Sequence, residues 1–124
     1  MDQVLAVAAG SLAGGLGRYA LTHRAFFAFG PAFPYGTLAV NVSGCFLIGA
    51  LDAWGTARGM LGPNARLLLM TGFCGAYTTF STLILDSARL SDTGQLALGL
   101  ANYVGSGVLG LLAFRLGARL AGVL

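Results

Sequence analysis

Residues 71–86 read TGFCGAYTTFSTLILD, and this stretch decides how the chain is built. It is apolar enough to sit in a bilayer, yet it sets Gly72, Gly75, Thr71, Thr78, Thr79, Ser81 and Thr82 around Phe73, Tyr77 and Phe80. Glycine adds backbone freedom and hydroxyls compete for backbone partners, so a helix rich in both is weakened. Irregular backbone at membrane depth survives only where protein buries it or where it lines a polar cavity. The stretch is therefore predicted to be a membrane helix broken near its middle and built to handle an ion.

The surrounding chain agrees. Charged residues are 9% of the sequence, against roughly 25% in an ordinary soluble domain. Hydrophobic residues make up 56% of the 124, and the mean hydropathy is +0.80. A soluble fold of this size has no means of hiding so much apolar surface. Gln3 to Gly17, Ala25 to Leu51, Leu67 to Leu85 and Thr93 to Phe114 each contain no Asp, Glu, Lys or Arg. A spanning helix needs about 20 mainly apolar residues. Three windows qualify outright, and the first does so if Arg18 snorkels, its stem in lipid and its head in water. The expectation is an all-α integral membrane protein, one domain over 1–124, with helices near 3–22, 35–57, 65–88 and 94–118. The first window lacks a basic n-region, with only Asp2 before it, so it is expected to be retained rather than cleaved as a signal peptide. Cys45 and Cys74 fall inside spans, where free Cys behaves as a small apolar residue. Neither they nor His23, which falls in a predicted loop, has metal-site spacing.

The net charge of +3 comes with no lysine. Arg58, Arg66, Arg115 and Arg119 fall on one predicted side, and Arg18, Arg24 and Arg89 on the other. Topology follows Lys/Arg asymmetry in short loops, and here there is almost none. Such a chain inserts both ways up, which predicts an antiparallel, dual-topology homodimer with its two-fold axis in the membrane plane. If Arg18 lies within the first helix it leaves the count, and one fixed orientation follows instead. No nucleic-acid partner is expected; lipid is. Gly10 with Gly14, Gly72 with Ala76, and Ser106 with Gly110 have the small-xxx-small spacing of closely packed membrane helices.

Several residues have two readings from sequence. Asn41, in GTLAVNVSGCF, is costly in hydrocarbon unless paired. It either bridges helices or aims an amide N–H at an anion. Thr37 lies one turn earlier on the same face. Phe80 is either packing or a ring turned edge-on to an anion, since the ring edge carries partial positive charge. Thr79, Ser81, Thr82 and Tyr103 offer hydroxyl donors. Gly75 and Thr78 would bracket the break, where orphan carbonyls suit a hard cation; the plainer alternative is a kink at Gly75. Asp52, Asp86 and Asp92 fall near predicted span ends, with Asp52 placed to pair with Arg58. None is at a helix centre, which argues against a proton-coupled carboxylate carrier. No catalytic triad, metal or nucleotide motif occurs, so no enzyme is expected.

Taken together, GGLGRYAL at 14–21, FPYGTLAVNVSGCFLIGAL at 33–51, GFCGAYTTFSTLILD at 72–86 and Tyr103 resemble the Fluc (CrcB) family of bacterial fluoride channels. The pattern GTLxVNxxG followed by GFxGxxTTFST is specific, and the likeness covers nearly the whole chain. The resemblance implies a dual-topology homodimer in the cytoplasmic (inner) membrane, with two antiparallel pores lined by both subunits. It implies passive export of fluoride, which enters cells as neutral HF and is trapped as the ion. It places the pore asparagine at Asn41, the vestibule arginine at Arg18 and the first box phenylalanine at Phe80. A hydroxyl track would use Thr37, Thr82 and Tyr103, with Thr79 and Ser81 beside it. A central structural sodium ion would be held by the carbonyls of Gly75 and Thr78.

The chain departs from the pattern at Leu83, where a second box phenylalanine is expected, and at Gly107 and Leu111, where some members carry hydroxyls, so the hydroxyl track is either shorter here or runs through Ser106. Asp86 stands where glutamate is common. These departures keep a second reading open, a non-conducting or single-pore partner subunit of a heterodimer. A third, a small dual-topology proton-coupled exporter, would need a membrane-embedded carboxylate, and Gln3 to Gly17 has none.

Overall fold

The computed structural model describes residues 2–56 and 58–123, which are helical almost throughout and contain no strand among the described residues. Helix α1 (Gln3–Phe29) starts at Asp2, whose carboxylate accepts the Val4 N–H at 3.3 Å. It runs seven residues past the expected end at 22, so His23 and Arg24 are helical rather than in a loop. Arg18 and Arg24 do not break a helix; Gly30 does, with φ 76° and its N–H on the Phe26 carbonyl at 2.8 Å. Exposed His23 stacks on Tyr19 and meets Phe27 edge-on. Arg18 and Arg24 both lie within α1, Arg89 within α5, and Arg66, Arg115 and Arg119 within helices of the other predicted side, so helix membership discounts arginines on both sides and the count fixes no orientation.

Helix α2 (Tyr35–Leu51) continues through a wider π turn at Asp52–Thr56; residue 57, its expected end, lies outside the described residues. The Arg58 guanidinium donates to the Gly122 carbonyl rather than pairing with Asp52. The third span opens with α3 (Pro63–Arg66), proline at its first turn, and winds through π turns at Leu67–Cys74 into α4 (Gly75–Tyr77). Helix α5 (Phe80–Asp92) completes it, and α6 (Leu96–Val123) returns after a turn at Gly94, φ 82°. Gln3–Phe29, Tyr35–Gly55, Pro63–Asp92 and Leu96–Gly122 are each long and apolar enough to cross a membrane.

The packing is the inverse of a soluble protein's. Leu5, Leu12, Leu16, Phe27, Leu100, Leu112 and many other large apolar side chains face outward, while Thr37, Thr79, Ser87, Asn102 and Ser106 are buried. Lipid is as apolar as leucine, so helices associate through close backbone approach and polar contacts instead. Helix α1 lies against the π-wound stretch, α2 runs along α6, and α5 also rests on α6. A Cβ at Gly10 would overlap the Leu68 carbonyl oxygen, one at Gly14 the Phe73 carbonyl, and one at Gly72 would stand 2.7 Å from the Val7 carbonyl. The α2–α6 seam repeats this: a Cβ at Gly49 would overlap the Phe114 carbonyl, and one at Gly117 the Phe46 carbonyl. The Gly10/Gly14 pair is thus a packing face.

Candidate functional site

Helical bonding stops between α4 and α5. Thr78 (φ −85°, ψ 160°) and Thr79 (φ −151°, ψ 115°) are extended, as two successive β-branched residues readily are. Gly75 is helical, φ −63° and ψ −36°, so the interruption sits at the threonines and no kink forms at the glycine.

Asn41 holds this interruption. Its Oδ1 accepts the Thr79 N–H at 2.7 Å and its Nδ2 donates to the Thr79 carbonyl at 3.0 Å. One carboxamide thus stands in for a neighbouring peptide group, satisfying both backbone atoms of a residue 7% exposed. Of the two sequence readings of Asn41, the helix-bridging bond is present, and one amide N–H remains to spare. Thr79 caps α5: its Oγ1 accepts the Thr82 N–H at 3.2 Å, while its hydroxyl donates to Thr82 Oγ1 at 3.0 Å.

These bonds free two carbonyls. The helical donor for the Gly75 carbonyl would be the Thr79 N–H, which goes to Asn41; that for Thr78 would be the Thr82 N–H, which goes to Thr79. The Thr78 carbonyl receives only a long contact, 3.5 Å, from Arg18 Nη1. Gly75 is exposed, and a Cβ there would meet nothing within 4 Å. Carbonyl oxygens are the kind of ligand a hard cation takes, and the Arg18 guanidinium already stands against the Thr78 one.

A groove of about 620 Å³ runs past the interruption, and Asn41, Gly75, Thr78, Thr79, Phe80, Leu83 and Tyr103 all line it. Phe80, 69% exposed, packs on nothing that would hide it, whereas Leu83 is 7% exposed. The groove thus brings together most of the residues singled out in the sequence. Four others lie apart. Arg18 reaches the interruption from α1. Ser81 is exposed, and its Oγ stands 3.4 Å from Thr79 Oγ1. Thr82 is taken up by the Thr79 cap. Thr37 lies in a second cavity, about 670 Å³, together with Thr22, Asp86 and Arg89. There its hydroxyl donates to Asp86 Oδ2 at 2.6 Å.

Asp86, expected near a span end, lies within α5 toward the end of the span Pro63–Asp92. Sequence reasoning missed the Ser43–Tyr77 hydroxyl pair at 2.9 Å and the Asn102–Ser87 bond at 3.0 Å. The signal for the second pair was available: Asn102 falls in a charge-free window, where a carboxamide must find a partner.

The profile of a family described as "CrcB-like protein, Camphor Resistance (CrcB)" matches residues 5–118. A curated relative from Synechococcus sp., "Fluoride-specific ion channel FluC", is 45% identical over 116 residues, covering 94% of this chain and 89% of the relative. Relatives bearing the same name are 38% identical over 124 residues in Dehalococcoides mccartyi, covering 100% of this chain and 95% of the relative. In Nitrobacter winogradskyi the figure is 42% over 120 residues, covering 97% and 91%.

Proposed function

We propose, on the premise that this chain belongs to the CrcB family, that it exports fluoride passively across the cytoplasmic membrane through pores completed by a second, oppositely inserted copy. Membership follows from the match over residues 5–118 and from relatives at 38% and 45% identity. The chain is accordingly a multi-pass fluoride channel protein and not an enzyme.

One observation carries the finer statement: neutral hydrogen donors and an exposed aromatic edge share one groove with no fixed cation among its lining residues. Fluoride is small and strongly hydrated, so its shell must be replaced stepwise by donors, each weak enough to release it. The spare Asn41 amide N–H, the Tyr103 hydroxyl and the Phe80 ring edge are placed to do this. Thr79 contributes through its cap, which holds α5 and therefore Phe80 in place. Thr37, Ser81 and Thr82, outside this groove, would serve an approach to it, and Arg18 would raise the local anion concentration at its mouth.

The groove is open on one face, and Phe80 and Tyr103 are 69% and 46% exposed within a single copy. An antiparallel partner would cover it and complete the wall. The Gly75 and Thr78 carbonyls would hold the central sodium ion, which supplies a fixed positive charge between the copies. Sodium-depleted proteoliposomes are then expected to lose fluoride flux and regain it on sodium addition; equal flux without sodium rejects that site.

Leu83 favours a second assignment, a subunit that pairs with a different chain and contributes one conducting pore. Reconstitution decides. The purified chain alone is placed in liposomes loaded with potassium fluoride, a potassium ionophore is added, and release is followed with a fluoride electrode. Efflux identifies a self-sufficient channel. A silent chain that conducts only when mixed with a second homologue identifies the partner subunit.

A further inference from the structure

A guanidinium inside a membrane span calls for a partner, and Arg18 is held by very little. It is half-buried in α1, and among the described residues no carboxylate pairs with it. Its side chain makes one hydrogen bond there, 3.5 Å from Nη1 to the Thr78 carbonyl. The helical donor for that carbonyl would be the Thr82 N–H, which goes to Thr79 Oγ1 instead. The guanidinium therefore fills the place of a missing donor at the interruption. A charge at membrane depth with so weak a tie is a candidate for function rather than for stability.

We propose that the Arg18 guanidinium and the sodium ion are rival occupants of the Thr78 carbonyl, so that sodium binding releases Arg18 and Arg18 weakens sodium binding. The inference rests on the sodium site proposed above and goes beyond it by coupling that site to the arginine at the groove mouth. A carbonyl oxygen has two lone pairs and would admit both partners by geometry alone. Charge decides against it. At an effective dielectric of about 20, two unit cations about 6 Å apart disfavour each other by roughly 100-fold. A hydrogen bond of 3.5 Å is at the long limit of such contacts and offsets little of that, so the guanidinium is the partner that leaves.

The backbone around Arg18 does not move with it. Gly10 and Gly14 bring α1 onto the carbonyls of Leu68 and Phe73, and a Cβ at Gly17 would stand 3.5 Å from the Tyr77 ring. Helix α1 is thereby fixed against the third span, and only the flexible Arg18 stem can withdraw. Once released, the head group is free to meet anions at the groove mouth. Linkage makes the effect reciprocal: an anion that holds Arg18 away from Thr78 strengthens sodium binding by the same factor.

The test reads sodium binding as thermal stabilisation of the purified protein in detergent, not as flux. Sodium replaces N-methylglucamine at constant ionic strength, and the sodium concentration giving half the rise in unfolding midpoint is the readout. Wild type, Arg18→Gln and Arg18→Lys are compared, each in gluconate and in fluoride. Arg18→Gln is expected to lower that concentration by roughly tenfold or more, and Arg18→Lys, which keeps the charge, to leave it near the wild-type value. Fluoride is expected to lower it for wild type but not for Arg18→Gln. Equal half-points for wild type and Arg18→Gln overturn the inference, as does a lysine variant that binds sodium as tightly as the glutamine one. A wild-type half-point that is the same in fluoride and gluconate overturns it without any variant. If no protein is stabilised by sodium, the sodium site itself is refuted and the inference falls with it.

Discussion

Asn41→Asp is the sharpest perturbation available, because it changes one atom of a side chain that makes two defined bonds. Aspartate keeps an oxygen for the Thr79 N–H, now 2.7 Å from Asn41 Oδ1, and that bond gains charge assistance. The other bond is inverted: the Nδ2 donor, 3.0 Å from the Thr79 carbonyl, becomes a carboxylate oxygen facing an acceptor. The spare amide N–H proposed to meet fluoride disappears at the same time. A carboxylate and a fluoride about 4 Å apart repel by about 4 kcal/mol at an effective dielectric of about 20. At about 1.4 kcal/mol per decade, that lowers occupancy of the site by roughly a thousandfold. Fluoride efflux from liposomes is therefore expected to fall to background. Asn41→Ala separates the two roles. It leaves the N–H and C=O of nearly buried Thr79 unsatisfied, at about 1–3 kcal/mol each, so it is expected to lower the unfolding temperature as well as the flux. If folded Asn41→Asp releases fluoride at the wild-type rate, Asn41 is only a brace for the interruption and the pore runs elsewhere.

Three further outcomes are expected. Leu83→Phe restores an aromatic edge in the groove and should preserve or raise efflux, although filling a site only 7% exposed can cost about 1–3 kcal/mol of overpacking; a folded variant with no conductance would mean that this pore is built around leucine. Gly117→Ala drives a methyl into the Phe46 carbonyl and should abolish monodisperse protein, whereas Gly15→Ala, with nothing within 4 Å, should be silent; equal behaviour on size-exclusion chromatography would contradict the α2–α6 seam. Thr79→Ala removes the acceptor of the Thr82 N–H and should cost about 1 kcal/mol, recovered by Thr79→Ser; a serine variant as weak as alanine would show that the methyl, not the cap, matters.

The sequence by itself determined that the chain belongs in a membrane, because four long windows without charge admit no other solvent. It also determined the Gly10/Gly14 face, since small residues four apart are what helices in lipid need in order to touch, but not the seam at Gly49 and Gly117. The helix ends were less legible. Arginine does not end a helix, and the stop at Gly30 lies well beyond the charges that suggested it. Motif and composition also marked most of the groove residues, because hydroxyls and amides are expensive in hydrocarbon wherever they occur.

Only the tertiary structure decided what those polar atoms face. Asn41 spends most of its carboxamide on the backbone of Thr79, thirty-eight residues away, and that contact moves the interruption from Gly75 to the threonines. Thr37 shares a helix face with Asn41 in one dimension but belongs to another cavity, where Asp86 accepts its proton. Asn102 is on paper one more polar residue of a charge-free window, yet in the fold its Nδ2 donates to Ser87 Oγ on the preceding helix. Hydrogen bonds are directional and short in reach, so which polar atom meets which is set by how four helices pack, and no periodicity along one strand of residues encodes it.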